Sequence, residues 1–338
     1  MDATVDILDA NEMGPNLKWV DDLFNFRFPK TIGNSPNSFT YSHTIQDIFR
    51  ITKPLGVPWH QTKCTEHAFT GIYLGFLWDV WNRTVSLPET KRQKYLTKLT
   101  LFLDHIARER TSQKDAMSIN GTLSHITFVY PQGRSYLTNL CAFIAAFPNK
   151  HATRYPPRSV ISDLKWWQNT LNLPGVTRSL TPRGELKDLG IWVDASTNWG
   201  IGVIVSERWA AWRWKLPLAE WKACGRDIGW AEMVAVELAI RYVEELGHTN
   251  ADILIRGDNE GVVGAFTRGR SRNFQVNDSI RRAGVIGMSL NLSFKLTYVN
   301  TKVNKADPVS RGEPDPSMTR LPPLTTLPPE LIPFIVHA

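Results

Sequence analysis

Asp194, Glu232, Asp258 and Asp307 are the residues in this chain with the clearest means of doing chemistry together. Clustered carboxylates repel one another unless a divalent cation neutralises them, and a hard ion such as Mg²⁺ takes oxygen ligands. The chemistry this implies is two-metal phosphodiester hydrolysis, with ions roughly 4 Å apart activating water and stabilising the leaving oxygen. Each acid also has an ordinary reading. Asp194 before Ala-Ser-Thr suits a turn, while Asp258 and Asp307 suit helix N-caps. What favours a joint role is that all four fall in one predicted sheet domain, three of them with no Lys or Arg placed beside them.

The elements that must position these acids are legible in residues 184–312. LGIWVDAS is an apolar run ending in an acid, GIGVIVSE alternates Ile201, Val203 and Val205 with small residues, and WAAWRWKLP follows as a third strand. DIGWAEMVAVELAIRYVEELG has helical spacing and a stop at Gly247. ADILIRGDN and LSFKLTYV are further strands, and NKADPVSRG opens a last helical turn. Asp194 and Asp258 close strands, where functional groups of α/β sheets collect. Glu232 falls on the sheet-facing stripe of Ala235, Val236, Ala239 and Val243, where a carboxylate is costly unless paired or bound to metal. Glu237 lies about 140° round the helix and belongs to another face. The fold expected is α/β (α+β): a mixed five-stranded sheet with flanking helices.

Length and composition bound the rest. At 338 residues the chain holds roughly two domains, and 42% apolar with 21% charged residues excludes wholesale disorder, collagen and coiled coil. A net charge of +7 suits a polyanionic partner without demanding one. Cys64, Cys141 and Cys224 form no CxxC pair, so a reducing compartment is expected. MDATVDILDA is no signal peptide, and the longest apolar run, near Leu140 to Phe147, is too short for a membrane span. We expect a soluble intracellular protein, nuclear or cytoplasmic, neither secreted nor membrane-bound, of open oligomeric state.

Residues 1–183 are mostly helical in pattern, with one hairpin. NLKWV and LFNFRF flank Asp21-Asp22, with Phe24, Phe26 and Phe28 alternating to one face. Two carboxylates at a hairpin turn are commonly just solvated. A break falls around Pro156 to Arg183, where Pro174, Gly175 and Pro182 surround a short helical piece. Seven prolines crowd the last 25 residues, from which we expect a tail lying over the surface or leaving it. Arg268, Arg270 and Arg272, then Arg281 and Arg282, form a basic run between the third and fourth acids, either a solvated face or a track for phosphates.

The segments WVDAST, GWAEMVAVELA, IRGDNEGVV, GRSRN and VNKADPVSR, over residues 188–312, resemble the RNase H domain of gypsy- or DIRS-like retrotransposon reverse transcriptases. The resemblance implies that Asp194 bridges two Mg²⁺ ions, with Mn²⁺ as a substitute. Asp258 would then complete the nucleophile-side ion, and Glu232 and Asp307 the leaving-group side. Asn259 and Ser271 match family positions without an assigned role. No His lies between Asp258 and Asp307, so the mobile histidine of some members is missing, and proton transfer or product release falls to water or another group. Upstream, KWVDDLF resembles a reverse-transcriptase palm hairpin. LGVPWHQTKC resembles the segment carrying the lysine that assists pyrophosphate, here Lys63, and TGIYLGFLWD the primer-positioning strand. SLPETKRQKYL, INGTLSHITFVYPQGRSYLTNL and DLKWWQNTL resemble thumb and connection. A palm needs a third Asp from a separate upstream strand, and only 20 residues precede Asp21. Asp21, Asp22 and Lys63 are therefore expected to form a degenerate polymerase site, and polymerisation is not expected of this chain alone.

The organisation this implies is a partial palm at 1–85, a helical thumb and connection at 86–183, an RNase H-like domain at 184–312 and a Pro-rich tail at 313–338. The expected activity is a retrotransposon-derived RNase H-type endonuclease acting on the RNA strand of RNA–DNA hybrids. Arg268, Arg270 and Arg272 would contact the hybrid or another nucleic acid duplex. The alternatives are a silent nucleic-acid-binding relic and a fragment of a longer RNA-directed DNA polymerase.

Overall fold

The computed structural model describes residues 2–31, 39–60, 62–173 and 177–338; Pro174 and Gly175 of the expected break lie outside them. The chain divides into two compact units, Met1–Asn82 and Arg83–Ala338. Residues 86–183 and 184–312 fall in the same unit. No helix among the described residues is long and apolar enough to cross a membrane.

In the first unit the expected hairpin pairs Asn16–Trp19 antiparallel with Asp22–Asn25, Trp19 standing opposite Asp22. Val20 takes the positive φ of 54° that the tight turn demands of a non-glycine residue. Phe24 stacks on Tyr73 at 5.0 Å and meets the edge of Phe26 at 4.8 Å. The alternation does not reach Phe28, which is exposed because the strand stops at Asn25. Leu8, Met13 and Ile48 form a small core. The helix Ile45–Thr52 carries a capping box from Thr44 and Asp47.

In the second unit a short strand, Thr84–Ser86, is followed by helices α1 (Glu89–Ile106), α2 (Gln113–Ile126), α3 (Thr138–Ala145) and α4 (Arg158–Asn172). A 3₁₀ segment, Pro131–Leu137, lies between α2 and α3. The sheet follows as β1 (Leu186–Ala195), β2 (Gly200–Val205), β3 (Arg208–Trp214), β4 (Ala251–Gly257) and β5 (Leu292–Tyr298). β1, β2 and β3 form an antiparallel meander, while β4 pairs parallel with both β1 and β5. Helix α5 (Ile228–Glu245) precedes β4, and α6 (Glu260–Arg268) and α7 (Phe274–Ser289) fill the crossover to β5. α5 is buried almost all round and supplies the centre of the core, from Trp230 to Val243.

The five-stranded expectation needs correction, because the sheet has seven strands. β6 (Thr319–Arg320) pairs parallel and β7 (Ile335–His337) antiparallel with β3. The Pro-rich tail therefore does more than lie over the surface or leave it. Five of its seven prolines sit between the two edge pairings, where a missing N–H is tolerated, and Leu321, Leu331, Phe334 and Ile335 are buried in the main core. The helical segment is bolted to α7 by Arg281, which donates to Asp163 of α4 at 2.9 Å and to the Ser135 carbonyl at 3.0 Å, and whose guanidinium lies 3.9 Å over Tyr136.

Candidate metal centre

Asp194 is the penultimate residue of β1, and Asp258 follows the last residue of β4. The two strands are parallel neighbours, so both carboxylates arrive at the same end of the sheet. Glu232 comes from the early turns of α5, whose N-terminus is capped by Asp227 accepting from the Trp230 N–H at 2.8 Å. One carboxylate oxygen from each of the three acids lies within 4.8 Å of the other two. Asp194 and Glu232 are buried and Asp258 is half-buried.

The fourth acid stands differently. Asp307 opens α8 (Asp307–Ser310) at its first helical position, with Ala306 as the cap residue. Its carboxylate is held by Arg311, which donates from Nη2 at 2.7 Å and from Nε at 3.0 and 3.1 Å. It lies near enough to push the Asp194 and Glu232 pKa values upward, but it is not part of the 4.8 Å group. The N-cap alternative for Asp258 falls to its neighbour, since Asn259 accepts from the Val262 N–H at 3.1 Å. Ser271 sits in a turn held by Asn277, which accepts from the Ser271 N–H at 2.6 Å.

α8 also brings in residues that the sequence reading passed over. Gly202 of β2 stands opposite Asp194. A Cβ there would come within 2.5 Å of the Ser310 backbone nitrogen, so only glycine lets α8 press onto the sheet at this point. The approach places the Ser310 hydroxyl as a donor to Asp194 Oδ2, while Ser196 donates to the Ser310 carbonyl at 2.6 Å. Asn304 Nδ2 donates to the Val193 carbonyl at 3.0 Å and lies 3.4 Å from Asp194 Oδ1. The signal for Ser310 lies in the segment VNKADPVSR, where a serine follows the acid by three residues.

Burial and mutual repulsion set the electrostatics. Glu232 is pushed up to about 9, first by burial and then by the charges of Asp194 and Asp258, against a hydrogen bond from the Ala195 N–H. Asp194 is pushed up to about 7, again first by burial, with Ser310 acting the other way. On its own Glu232 holds a proton at neutral pH, and Asp194 is about half protonated there. The donor set consists of hard carboxylate oxygens with no sulfur or imidazole, which fits Mg²⁺ or Mn²⁺ in place of those protons.

The remaining sequence-predicted residues are not drawn into this group. Asp21 and Asp22 are exposed on the hairpin of the first unit, and Lys63 is exposed in a turn of that unit, with no ion pair among the described residues. Arg268 ends α6, and Arg270 and Arg272 follow it, all exposed. Arg281 and Arg282 are no part of a solvated track. They are structural ion-pair partners, of Asp163 and of Glu237 respectively.

No family model matches the chain, and no curated protein does. Among solved structures it is similar to a foamy viral protease-reverse transcriptase in complex with RNA/DNA hybrid. The identity is 13%, over 97% of this chain and 40% of that one, at a TM-score of 0.39. The chain thus spans about two-fifths of the length of that polypeptide.

Proposed function

We propose that the second unit is an RNase H-type endonuclease hydrolysing the RNA strand of RNA–DNA hybrids. The observation that carries this reading is the meeting of Asp194, Glu232 and Asp258, from two parallel strand ends and one helix, with oxygens within 4.8 Å. Asp194, Glu232, Asp258 and Asp307 would hold two Mg²⁺ ions. Bound there, the metal supplies a nucleophilic water and stabilises the leaving oxygen.

The chain's own residues do the positioning. Ser310 and Asn304 fix the two oxygens of Asp194, leaving it in one orientation before any ligand arrives. The Ala195 N–H holds Glu232 in the same way. Arg311 holds the Asp307 carboxylate beside the group at 2.7 Å, and can exchange that pairing for a ligand without leaving a buried charge bare, because Arg311 is largely exposed. Arg268, Arg270 and Arg272 supply sequence-independent attraction for a phosphate backbone. The exposed pair Asp21 and Asp22 takes no part.

Strand-specific labelling tests the reading. A hybrid labelled on its RNA strand should be cut in Mg²⁺, while the same hybrid labelled on DNA, and duplex DNA, should stay intact. Cutting of both strands, or of duplex DNA alone, would assign the carboxylates to a different phosphodiesterase.

A further inference from the structure

The basic run after α6 is only half of a basic recess. Arg268 and Arg270 line a recess of about 340 Å³ together with Arg134, Leu137, Ser124 and Thr127. These residues come from three elements far apart in sequence: the end of α2, the 3₁₀ segment Pro131–Leu137, and the end of α6. Gly269 takes the left-handed conformation, φ 65°, that closes α6, with its N–H and that of Arg270 returning to the last turn. Arg268 and Arg270 flank that turn and both line the recess, and the Cδ of Arg134 packs toward Gly269, where a Cβ would lie 3.9 Å from it. Among the described residues, none of the three arginines has an acidic partner. Burial, then the charges of Arg183 and Arg134, depress the pKa of Arg178, so a fourth cation stands near Arg134. This contrasts with Arg241, Arg256, Arg281, Arg282 and Arg311, which are all paired with carboxylates.

We infer that this recess is a binding site for a backbone phosphate of the nucleic acid, with Arg134 as its contribution from the helical segment and Arg268 and Arg270 as that of the sheet domain. Guanidinium groups offer forked donors that match phosphate oxygens. The inference rests on the proposed function for its ligand, and adds where the duplex is gripped. α6 starts two residues after Asp258 and ends at Arg268. At 1.5 Å per residue it spans about 13 Å, so the recess stands at the opposite end of α6 from Asp258.

The test is binding of a fluorescein-labelled 20-base-pair RNA–DNA hybrid, read by anisotropy without divalent metal over a series of salt concentrations. The chain is compared with Arg134→Ala, the triple variant Arg134→Ala/Arg268→Ala/Arg270→Ala, and Arg158→Ala as a control for net charge, Arg158 being exposed on α4. Thermal melts confirm that each variant is folded. The expected result is a slope of log affinity against log salt shallower by about one for the triple variant, near the 0.9 that one lost phosphate contact removes. Arg134→Ala should show part of that loss, Arg134→Lys should recover some of it, and Arg158→Ala should keep the slope. Wild-type binding with an unchanged slope in the triple variant would overturn the recess and leave the nuclease reading standing. Failure of the wild-type chain to bind the hybrid at low salt would overturn both.

Discussion

Glu232 and Glu237 lie five residues apart on α5, both buried, and their charges are settled in opposite ways. Glu232 faces Asp194 and Asp258 with no cation beside it, whereas Glu237 accepts from Arg241 at 2.9 Å and from Arg282 at 2.7 and 2.8 Å. The helix-wheel separation of the two faces is thus visible as a separation of tasks. Glu237 is nevertheless no bystander, because it ties α5 to α7.

The two glutamates should give opposite phenotypes. Glu232→Gln should abolish hydrolysis while the metal-free protein melts no lower than wild type, since a buried, repelled acid becomes neutral. Glu237→Gln should retain the active-site geometry but lose roughly 3 kcal/mol or more of stability, the cost of breaking a buried pair and leaving two arginines short of a partner. Activity assays beside thermal melts separate the outcomes. A destabilised Glu232→Gln, or an inactive Glu237→Gln of normal stability, would reverse the assignment.

Metal-free stability should fall as pH rises. Glu232 and Asp194 titrate at about 9 and about 7 in the fold, above their ordinary carboxylate values. The folded state therefore binds more protons than the unfolded one between about pH 4.5 and 9, and stability must decline across that window. Mg²⁺ should raise the melting temperature more at the alkaline end, where Asp194 has lost its proton and Glu232 part of its own, so fewer protons have to be displaced. Melts at pH 5 and pH 8.5, each with EDTA or Mg²⁺, read this directly. A Mg²⁺ effect that is larger at pH 5 would contradict it.

How much of this was legible in the sequence depended on the length of the pattern. β1 to β5 span six to ten residues and α5 eighteen, long enough for a pattern to show, and Asp194 and Asp258 stand at strand ends where those runs stop. β6 and β7 have two and three residues inside a Pro-rich stretch, too short for any periodicity, although the run LIPFIV at 331–336 is apolar enough to demand burial. Arg281 and Arg282 looked like their basic neighbours because a linear run does not show that α7 turns them inward onto Asp163 and Glu237. Arg134 was invisible for the same reason, since it joins Arg268 and Arg270 only through tertiary packing.

Ser310 should prove a positioning residue for Asp194. Ser310→Ala removes one donor to the Asp194 carboxylate while Asn304 remains. Hydrolysis should fall by about 10- to 100-fold, the usual effect of losing a support to a metal ligand, and excess Mg²⁺ should recover part of it. Activity measured against Mg²⁺ concentration distinguishes this from misfolding, which added metal would not rescue. Gly202→Ala should be worse, because its Cβ would drive α8 off the sheet and take Ser310 and Asp307 with it.

The first unit should be the acid-labile part of the chain. His43 and His67 share the side-chain Oδ1 of Asn25 through their Nε2 atoms, at 2.8 and 2.7 Å, and their rings meet at 5.4 Å. Burial, followed by the charges of Arg27 and His43, depresses His67 to about 4. A depressed histidine stabilises the fold above its ordinary value of 6.5 and loses that contribution as pH falls toward 4. Proteolysis near the hairpin Asn16–Asn25 should accelerate between pH 6.5 and 4, and His67→Gln should blunt the change. Equal protection across that range would contradict the reading.

The central claim is that the buried carboxylates are a working metal site. Single-turnover cleavage of an RNA–DNA hybrid by the wild-type chain, by Asp194→Asn and by Asp258→Asn, each with Mg²⁺ and each verified as folded, tests it most directly. The account predicts RNA cleavage by the wild-type chain and none by either variant. Cleavage at the wild-type rate by the variants, or none by the folded wild-type chain in Mg²⁺ or Mn²⁺, would contradict it.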